Sequence, residues 1–229
     1  MARDEILRAM RFLHPEGSVF ELCAIGVKQP RSPLWEGHAG GKRNIVAGWF
    51  QDHHQATDLA FKLDQVGAEG IYITLNPCNP ALLARANHRL IAGVGRTQDS
   101  EILSLLHLLV DVDPKRPKGI SATDAEHEAA LQLVLRIKEG LSEKGWPEPL
   151  VADSGNGGHL IYKVNLDNTK DNVELLKKCL QAIAEQHSTE NLDVDMTVFN
   201  PSRLCKLYGT NARKGDNIQE RPHRSARIL

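Results

Sequence analysis

The sequence predicts an α+β fold, with an N-terminal α/β subdomain over residues 1–102 and a second subdomain over residues 103–229. Its 229 residues suit one large domain or two small subdomains. With 41% hydrophobic and 25% charged residues, the composition is typical of a globular protein and excludes wholesale disorder. After residue 103 the patterns run strand, helix, strand, strand, helix, strand, an order typical of a split unit of ferredoxin or RNA-recognition-motif type.

Neither a membrane span nor a secretion signal is predicted. No stretch approaches the roughly 18 uncharged apolar residues that a span needs, and no apolar signal core follows the charged start of the sequence. We therefore expect a cytoplasmic location and no membrane partner.

The first half of the sequence alternates between runs rich in β-forming residues and runs with helical spacing of apolar residues. A segment rich in Pro, Gly and charge at 28–42 predicts an exposed loop, so its flanking strands are expected to form a long-looped hairpin. In chain order, the predicted elements are a helix at 4–13, strands at 19–27 and 44–50, a helix at 55–66 and a strand at 71–75.

The second half contains the clearest signals. A nearly continuous apolar run at 103–112 predicts a central strand covered on both faces. A helix is predicted from 121 to about 144, because Thr123 and Glu126 fit a capping box and Gly145 and Pro147 follow its end. The remaining predicted elements are strands at 150–152 and 160–164, an amphipathic helix at 172–186, and strands at 203–208 and 226–229.

A first candidate site is the pair Asp111 and Asp113 at the end of the central strand. Residues two apart project from the same face of a strand. Two like charges side by side are costly to bury unless a cation neutralises them. Carboxylate oxygens suit Mg²⁺ or Mn²⁺, which can also bridge substrate phosphates. A pair of strand-end aspartates that caps a turn is the alternative.

A second candidate site lies between the two short strands, where the sequence reads S-G-N-G-G-H. Glycines let backbone N–H groups approach phosphate oxygens closely, and the Ser and His side chains add donors. No Gly-Lys-Ser/Thr follows, so this is not a Walker A loop; a glycine turn with a structural histidine is the alternative. The residues are Ser154, Gly155, Asn156, Gly157, Gly158 and His159.

A third candidate site combines the carboxylates Asp193 and Asp195 with the cations Arg203 and Lys206. Arg203 and Lys206 fall on opposite faces of an ideal strand, so one of them is expected to be structural. Acidic capping of a helix N-terminus is the alternative for the aspartates.

The net charge of −1 is unevenly distributed. Residues 200–229 hold seven Lys and Arg against two acidic residues, which gives this segment +5 and the first 199 residues −6. Such a basic segment suggests an anionic partner, namely nucleic acid or nucleotide phosphates, with a solvated basic surface as the alternative. The nucleic-acid contacts we predict within it are Arg213, Lys214, Arg221 and Arg224.

Together, the three candidate sites are what nucleotidyl transfer needs: two metal ions held by carboxylates, with cations for the triphosphate. In order, D-V-D at 111–113, S-G-N-G-G-H at 154–159 and V-D-x-x-V-F-N-P-x-R-L-x-K-L-Y-G-T at 194–210 resemble the archaeo-eukaryotic primase superfamily, with the closest likeness to primase-polymerase domains of phages, plasmids and prophages. The residues at 71–77, 213–217 and 221–224 are also similar to that group.

The resemblance implies a primase-like fold in which the N-terminal subdomain packs on an RNA-recognition-motif-like catalytic unit. It also implies that Asp111, Asp113 and Asp195 are catalytic and hold two Mg²⁺ or Mn²⁺ ions. Residues 154–159 and Lys206 would bind the nucleotide phosphates, with Arg203 a weaker match. The implied partners are a single-stranded DNA template, NTPs or dNTPs, and a helicase domain or protein, to which such relatives are often fused.

Two further expectations concern zinc and the alternatives to a polymerase. Many relatives carry a zinc-binding element, but the four cysteines of this sequence are scattered without a C-x-x-C pair, so no zinc is expected. A non-catalytic nucleic-acid-binding replication module, or another two-metal enzyme such as a nuclease, would use the same residue types. The sequence leaves open the preference for ribo- or deoxynucleotides.

Overall fold

A computed structural model describes residues 2–40 and 44–229 of the chain. The helices are α1 (Ala2–Leu13), α2 (His53–Gln65), α3 (Asp124–Glu143) and α4 (Lys170–His187). The strands are β1 (Phe20–Ile25), β2 (Trp35–Glu36), β3 (Val46–Phe50), β4 (Gly70–Thr74), β5 (Leu90–Ala92), β6 (Ser104–Pro114), β7 (Leu150–Asp153), β8 (Gly158–Asp167), β9 (Leu192–Val194), β10 (Leu204–Lys206), β11 (Asn211–Ala212), β12 (Arg224–Ser225) and β13 (Arg227–Ile228).

The first sheet has the strand order β10-β4-β1-β3-β5-β2. The predicted long-looped hairpin is confirmed, because β1 and β3 pair antiparallel with Phe20 opposite Phe50. The loop predicted at 28–42 holds the short strand β2, which pairs parallel with β5, a strand that the sequence patterns did not indicate. Residues 41 and 42 of that loop lie outside the described residues. Helices α1 and α2 pack together beside this sheet.

The second sheet has the order β13-β7-β8-β6-β9. Strands β6 to β9 and helices α3 and α4 follow one another as β6-α3-β7-β8-α4-β9, which is the predicted connectivity. The prediction was wrong about the last strand: the unit closes with Leu192–Val194, whereas the segment predicted at 203–208 forms β10 and pairs with β4 of the first sheet. The likeness of this unit to an RNA-recognition motif stays a prediction.

Local signals placed helix α3 correctly. Thr123 is its N-cap, the Thr123 hydroxyl accepts from the Glu126 backbone N–H, and the Glu126 carboxylate accepts from the Thr123 N–H. This reciprocal pair satisfies two backbone donors that a helix start leaves without partners. None of the helices in the described part of the chain is long and apolar enough to cross a membrane.

The two sheets share one hydrophobic core, in which side chains of α1, β1 and β4 join those of β6, β8 and α3. The C-terminal segment runs across both sheets: β10 extends the first one, and β13 pairs with β7 of the second. The predicted division into two subdomains at residue 102 stays a prediction. Strand β10 belongs to the second half of the chain but pairs with a strand of the first half. This crossing brings the third candidate segment next to the other two.

Candidate functional site

A pocket lies between the two sheets and gathers residues from all three candidate segments. Its walls come from the end of β6, the glycine loop before β8, strands β4 and β10, and the segment after β11. The polar residues that line it are Glu69, Tyr72, Asp111, Asp113, Ser154, Asn156, His159, Lys206 and Lys214.

Strand register explains why Asp111 and His159 meet. Asp111 on β6 lies directly opposite His159 on β8, and its backbone oxygen accepts from the Asp195 N–H at 2.9 Å. Residues directly opposite each other in antiparallel strands point to the same face of the sheet. Asp111 and His159 therefore stand side by side on one face. Asp195 follows directly after β9, bound to the Asp111 backbone, and is not among the residues that line the pocket.

His159 links Asp111 to a tyrosine that sequence reasoning did not assign. Its Nε2 lies 3.2 Å from Asp111 Oδ1, and its Nδ1 lies 2.8 Å from the Tyr208 hydroxyl. Burial alone would lower the pKa of His159, but the charge and hydrogen bond of Asp111 outweigh it and raise this pKa to about 10. Burial likewise opposes ionisation of Asp111, yet His159 holds the pKa of that carboxyl below its usual range. The two residues form an ion pair, in which His159 is buried and Asp111 is half-buried.

Asp113 lacks such a strong partner. Burial, followed by the neighbouring charge of Asp111, raises the pKa of Asp113. The Arg116 guanidinium lies 3.4 Å from Asp113 Oδ1, but it also donates to the backbone oxygens of Pro114 and Ile120. The pair thus consists of one neutralised carboxylate and one that still favours a cation, which agrees with the predicted cost of placing two carboxylates together.

The glycine loop presses against β6 beside Asp113. The Gly157 N–H donates to the Ser154 hydroxyl oxygen at 3.1 Å, and the Ser154 N–H donates to the Gly157 carbonyl at 3.0 Å. A Cβ at Gly157 would lie 2.0 Å from the Val112 carbonyl oxygen, so only glycine fits there. Asn156 is buried and accepts from the Ala122 N–H. The loop is a rigid wall of the pocket.

Asp195 and Asp193 differ in their surroundings. Asp193 is exposed and lies opposite Asp113 in the β6–β9 pair. Asp195 is half-buried, and its Oδ1 accepts from both the N–H and the hydroxyl of Thr197 at 2.7 Å. Arg203 supports this turn by donating to the Thr197 carbonyl and to Asn200. The structure therefore places Arg203 beside Asp195, outside the residues that line the pocket.

Lys206 and Lys214 are the lysines that line the pocket. Lys206 is buried, lies over the Tyr72 ring, and donates to the Thr210 hydroxyl and the Asn211 carbonyl. Burial lowers the pKa of Lys206 to about 7, so an anion in the pocket would favour its charged form. Lys214 is half-buried, and its ammonium has no hydrogen-bond or ion-pair partner within the described ranges.

The other three basic residues predicted to contact nucleic acid have acidic partners inside the chain. Arg213 lies 2.7 Å from Asp64, Arg221 pairs with both oxygens of Glu126, and Arg224 lies 2.6 Å from Asp124. Each also donates to backbone carbonyls. These contacts fit a structural role, in which the arginines fasten the C-terminal segment to the rest of the chain. Their role in binding nucleic acid stays a prediction.

Sequence reasoning missed four residues of the site. Tyr208 lies within the quoted 194–210 motif but had no assigned role, and Tyr72 lies in a predicted strand. Glu69 and Arg116 belong to turns at strand ends, where nothing in the sequence shows which side chains face a cleft. The missing signal is the pairing of β4 with β10, which brings Tyr72 to Lys206.

Comparisons with known proteins define the fold. No family model matches the sequence, and no curated protein matches it. Among solved structures, the chain is similar to primase RepB′ (14% identity, TM-score 0.53), covering 100% of this chain and 56% of that one. It thus spans about half the length of that primase.

Two further structures are similar over 98% of this chain. One is the catalytic domain of primase RepB′ in complex with initiator DNA (13% identity, TM-score 0.50, 84% of that chain). The other is the polymerase domain of Mycobacterium tuberculosis Ligase D in complex with DNA (15% identity, TM-score 0.50, 79% of that chain). The predicted primase-like α+β fold is therefore confirmed; at these identities the similarity concerns the fold.

Proposed function

We propose that this chain is the catalytic domain of a DNA primase-polymerase, which transfers nucleotides from NTPs or dNTPs onto a strand directed by a single-stranded DNA template. The observation that carries the proposal is the pocket in which Asp111 and Asp113 face Lys206 and Lys214 across the two sheets. Carboxylates for a metal ion and cations for a triphosphate are thus brought together. The fold shared with the RepB′ primase and the Ligase D polymerase domain supports the same reading.

Asp111 and Asp113 supply carboxylate oxygens of the kind that Mg²⁺ and Mn²⁺ take as ligands. Desolvation and the neighbouring charge of Asp111 raise the pKa of the half-buried Asp113, and a bound cation would relieve this cost. Asp195 would be the third ligand through Oδ2, because Thr197 holds its Oδ1. When bound, two such ions would favour the attacking 3′-hydroxyl as an alkoxide and stabilise the departing pyrophosphate.

The chain's own residues would bind and orient the triphosphate. Lys206 points into the pocket with its ammonium fixed by Thr210 and Asn211, so it is positioned before a nucleotide arrives. Both ring nitrogens of His159 have partners, Asp111 and Tyr208. A phosphate contact by His159 therefore requires that it leave Asp111, which a cation at the carboxylates would favour. We place such a domain in phage- or plasmid-type replication, acting with a helicase.

The test is nucleotide incorporation by carboxylate variants. We expect the wild-type chain to extend a primed single-stranded template with Mg²⁺ or Mn²⁺, and Asp111→Asn and Asp113→Asn to abolish extension. Asp167→Asn is the matched control, because Asp167 is an exposed aspartate at the opposite end of the β6–β8 pair. Extension by Asp111→Asn or Asp113→Asn at the wild-type rate would contradict the proposal.

A non-catalytic nucleic-acid-binding module is a second candidate. Within residues 2–40 and 44–229, no group of three or more His, Cys, Asp and Glu side chains is arranged to hold a metal ion. This observation favours a site whose carboxylates serve structure. The same assay separates the candidates. A binding module would bind DNA without extending it, and a nuclease would shorten labelled DNA.

A further inference from the structure

Two more clefts adjoin the catalytic pocket. One is lined by residues of β1 and the loop after it, including Lys28 and Asn44, and it shares Tyr72 with the pocket. The other follows the turn after β6, including Arg116 and Lys118, and it shares Asp113 with the pocket. All three clefts share the same two residues, Glu69 and Lys214. They therefore form one continuous groove, which we call the basic groove.

The cations of the basic groove differ from the other basic residues near the site. Lys28 and Lys118 are exposed, Lys214 is half-buried, and none of the three has a hydrogen-bond or ion-pair partner in the part of the chain that the structure describes. The groove's three acids are Asp111, which is paired with His159, Asp113, which is beside Arg116, and Glu69. Unpaired positive charge thus exceeds unpaired negative charge along the groove.

This contrast decides which residues would contact a phosphate backbone. When a lysine without a partner binds a phosphate, the nucleic acid releases a condensed counterion, so the contact is favourable and weakens with salt. An arginine already bound to a carboxylate would have to give up that partner, or remain neutralised by it. Arg213, Arg221 and Arg224 are in this second position. Charge counts along the sequence cannot distinguish the two groups.

We infer that a single strand of nucleic acid lies along the basic groove and passes over the catalytic pocket, with Lys28 and Lys118 contacting its phosphates on either side and Lys214 between them. The inference rests on the proposed function, because the bound strand would be the template or the growing product of the polymerase. It assigns the backbone contacts to lysines of both halves of the chain and not to the C-terminal arginines.

The experiment is a salt titration of the binding of fluorescein-labelled single-stranded DNA, followed by anisotropy without nucleotide. Two double variants remove the same two charges: Lys28→Gln/Lys118→Gln in the groove, and Lys170→Gln/Lys178→Gln on helix α4. Lys170 and Lys178 are exposed lysines that line none of the three clefts. Lys28 and Lys118 do not line the catalytic pocket itself.

For single strands, the slope of log K against log salt changes by about 0.7 per phosphate contact. The groove variant should therefore lose about 1.4 from this slope, and the α4 variant should keep the wild-type slope. Between 50 and 200 mM salt, wild-type affinity should fall by about 7-fold more than that of the groove variant. Each single groove variant should account for about half of the change.

An unchanged slope in the groove variant would overturn the inference, and so would a change carried by only one of its lysines. A primer-extension assay with the same proteins separates this result from a failure of the proposed function. Extension together with an unchanged slope rejects the groove and keeps the polymerase. The expected loss of slope without any extension keeps the groove and rejects the polymerase.

Discussion

The hydroxyl of Tyr208 should stabilise this protein, and the hydroxyl of Tyr162 should not. Both tyrosines are buried, but the Tyr208 hydroxyl lies 2.8 Å from His159 Nδ1, whereas the Tyr162 hydroxyl has no hydrogen-bond partner among the described residues. Tyr208→Phe leaves the Nδ1–H of a charged imidazolium with only the weak acceptor Cys205 Sγ, 4.0 Å away. The change costs about 2 kcal/mol, since hydrogen bonds to charged groups contribute roughly 1.5–3 kcal/mol. Tyr162→Phe removes an unsatisfied buried polar atom at no such cost.

Thermal unfolding of the two variants measures this difference. For a chain of this length, about 2 kcal/mol corresponds to a fall in Tm of roughly 4–8 °C. We expect that fall for Tyr208→Phe, and an unchanged or higher Tm for Tyr162→Phe, whose ring keeps its edge contact with Trp146. The nucleotide KM should also change only in Tyr208→Phe, because Tyr208 orients His159. If both variants unfold at the same temperature, the His159–Tyr208 bond does not have the strength argued here.

Three further predictions concern other parts of the site and the core. Asp195→Asn should impair extension far more than Asp193→Asn, because only Asp195 is held beside Asp111; equal rates would remove the third carboxylate from the site. Gly157→Ala should destabilise the fold and abolish extension, whereas Gly95→Ala, which has open space around it, should change the unfolding free energy by less than about 0.5 kcal/mol. Burial lowers the pKa of His14 from 6.5 to about 3, so the unfolded chain binds more protons and stability should fall as the pH drops below 6.5. In urea titrations, His14→Gln should show a shallower pH slope, by up to about 1.4 kcal/mol per pH unit.

The parts of the fold that local signals determine were predictable. The capping box at Thr123 and Glu126 and the apolar run of β6 depend on neighbouring residues, so helix α3 and the central strand were predicted within a few positions. The three-residue strand β10 was assigned to the wrong sheet. Its pairing with β4 joins residues about 130 positions apart, and a segment this short has no periodicity that reveals its partner.

The candidate site shows the same limit. Spacing placed Asp111 and Asp113 on one face, and the strand register confirms that face. The sequence gives the positive charge of the C-terminal segment, but it does not show which of these charges have acidic partners in the folded chain. Arg213 and Arg224 find acidic partners 149 and 100 positions away, so only the folded chain shows that these charges are neutralised. Lys28 and Lys118 come from other segments, and no pattern in the sequence connects them with the site.

The most direct test of the proposed activity is the sequence of the product made on a defined template. The wild-type chain is incubated with a homopolymeric oligo(dT) template, Mn²⁺ or Mg²⁺, and each labelled nucleotide separately, with and without a primer. We predict incorporation of adenine nucleotides alone, dependent on the divalent cation and absent from Asp113→Asn. Incorporation of all four nucleotides alike would contradict the claim that the template selects the nucleotide. No incorporation, or shortening of the oligonucleotides, would contradict polymerase activity.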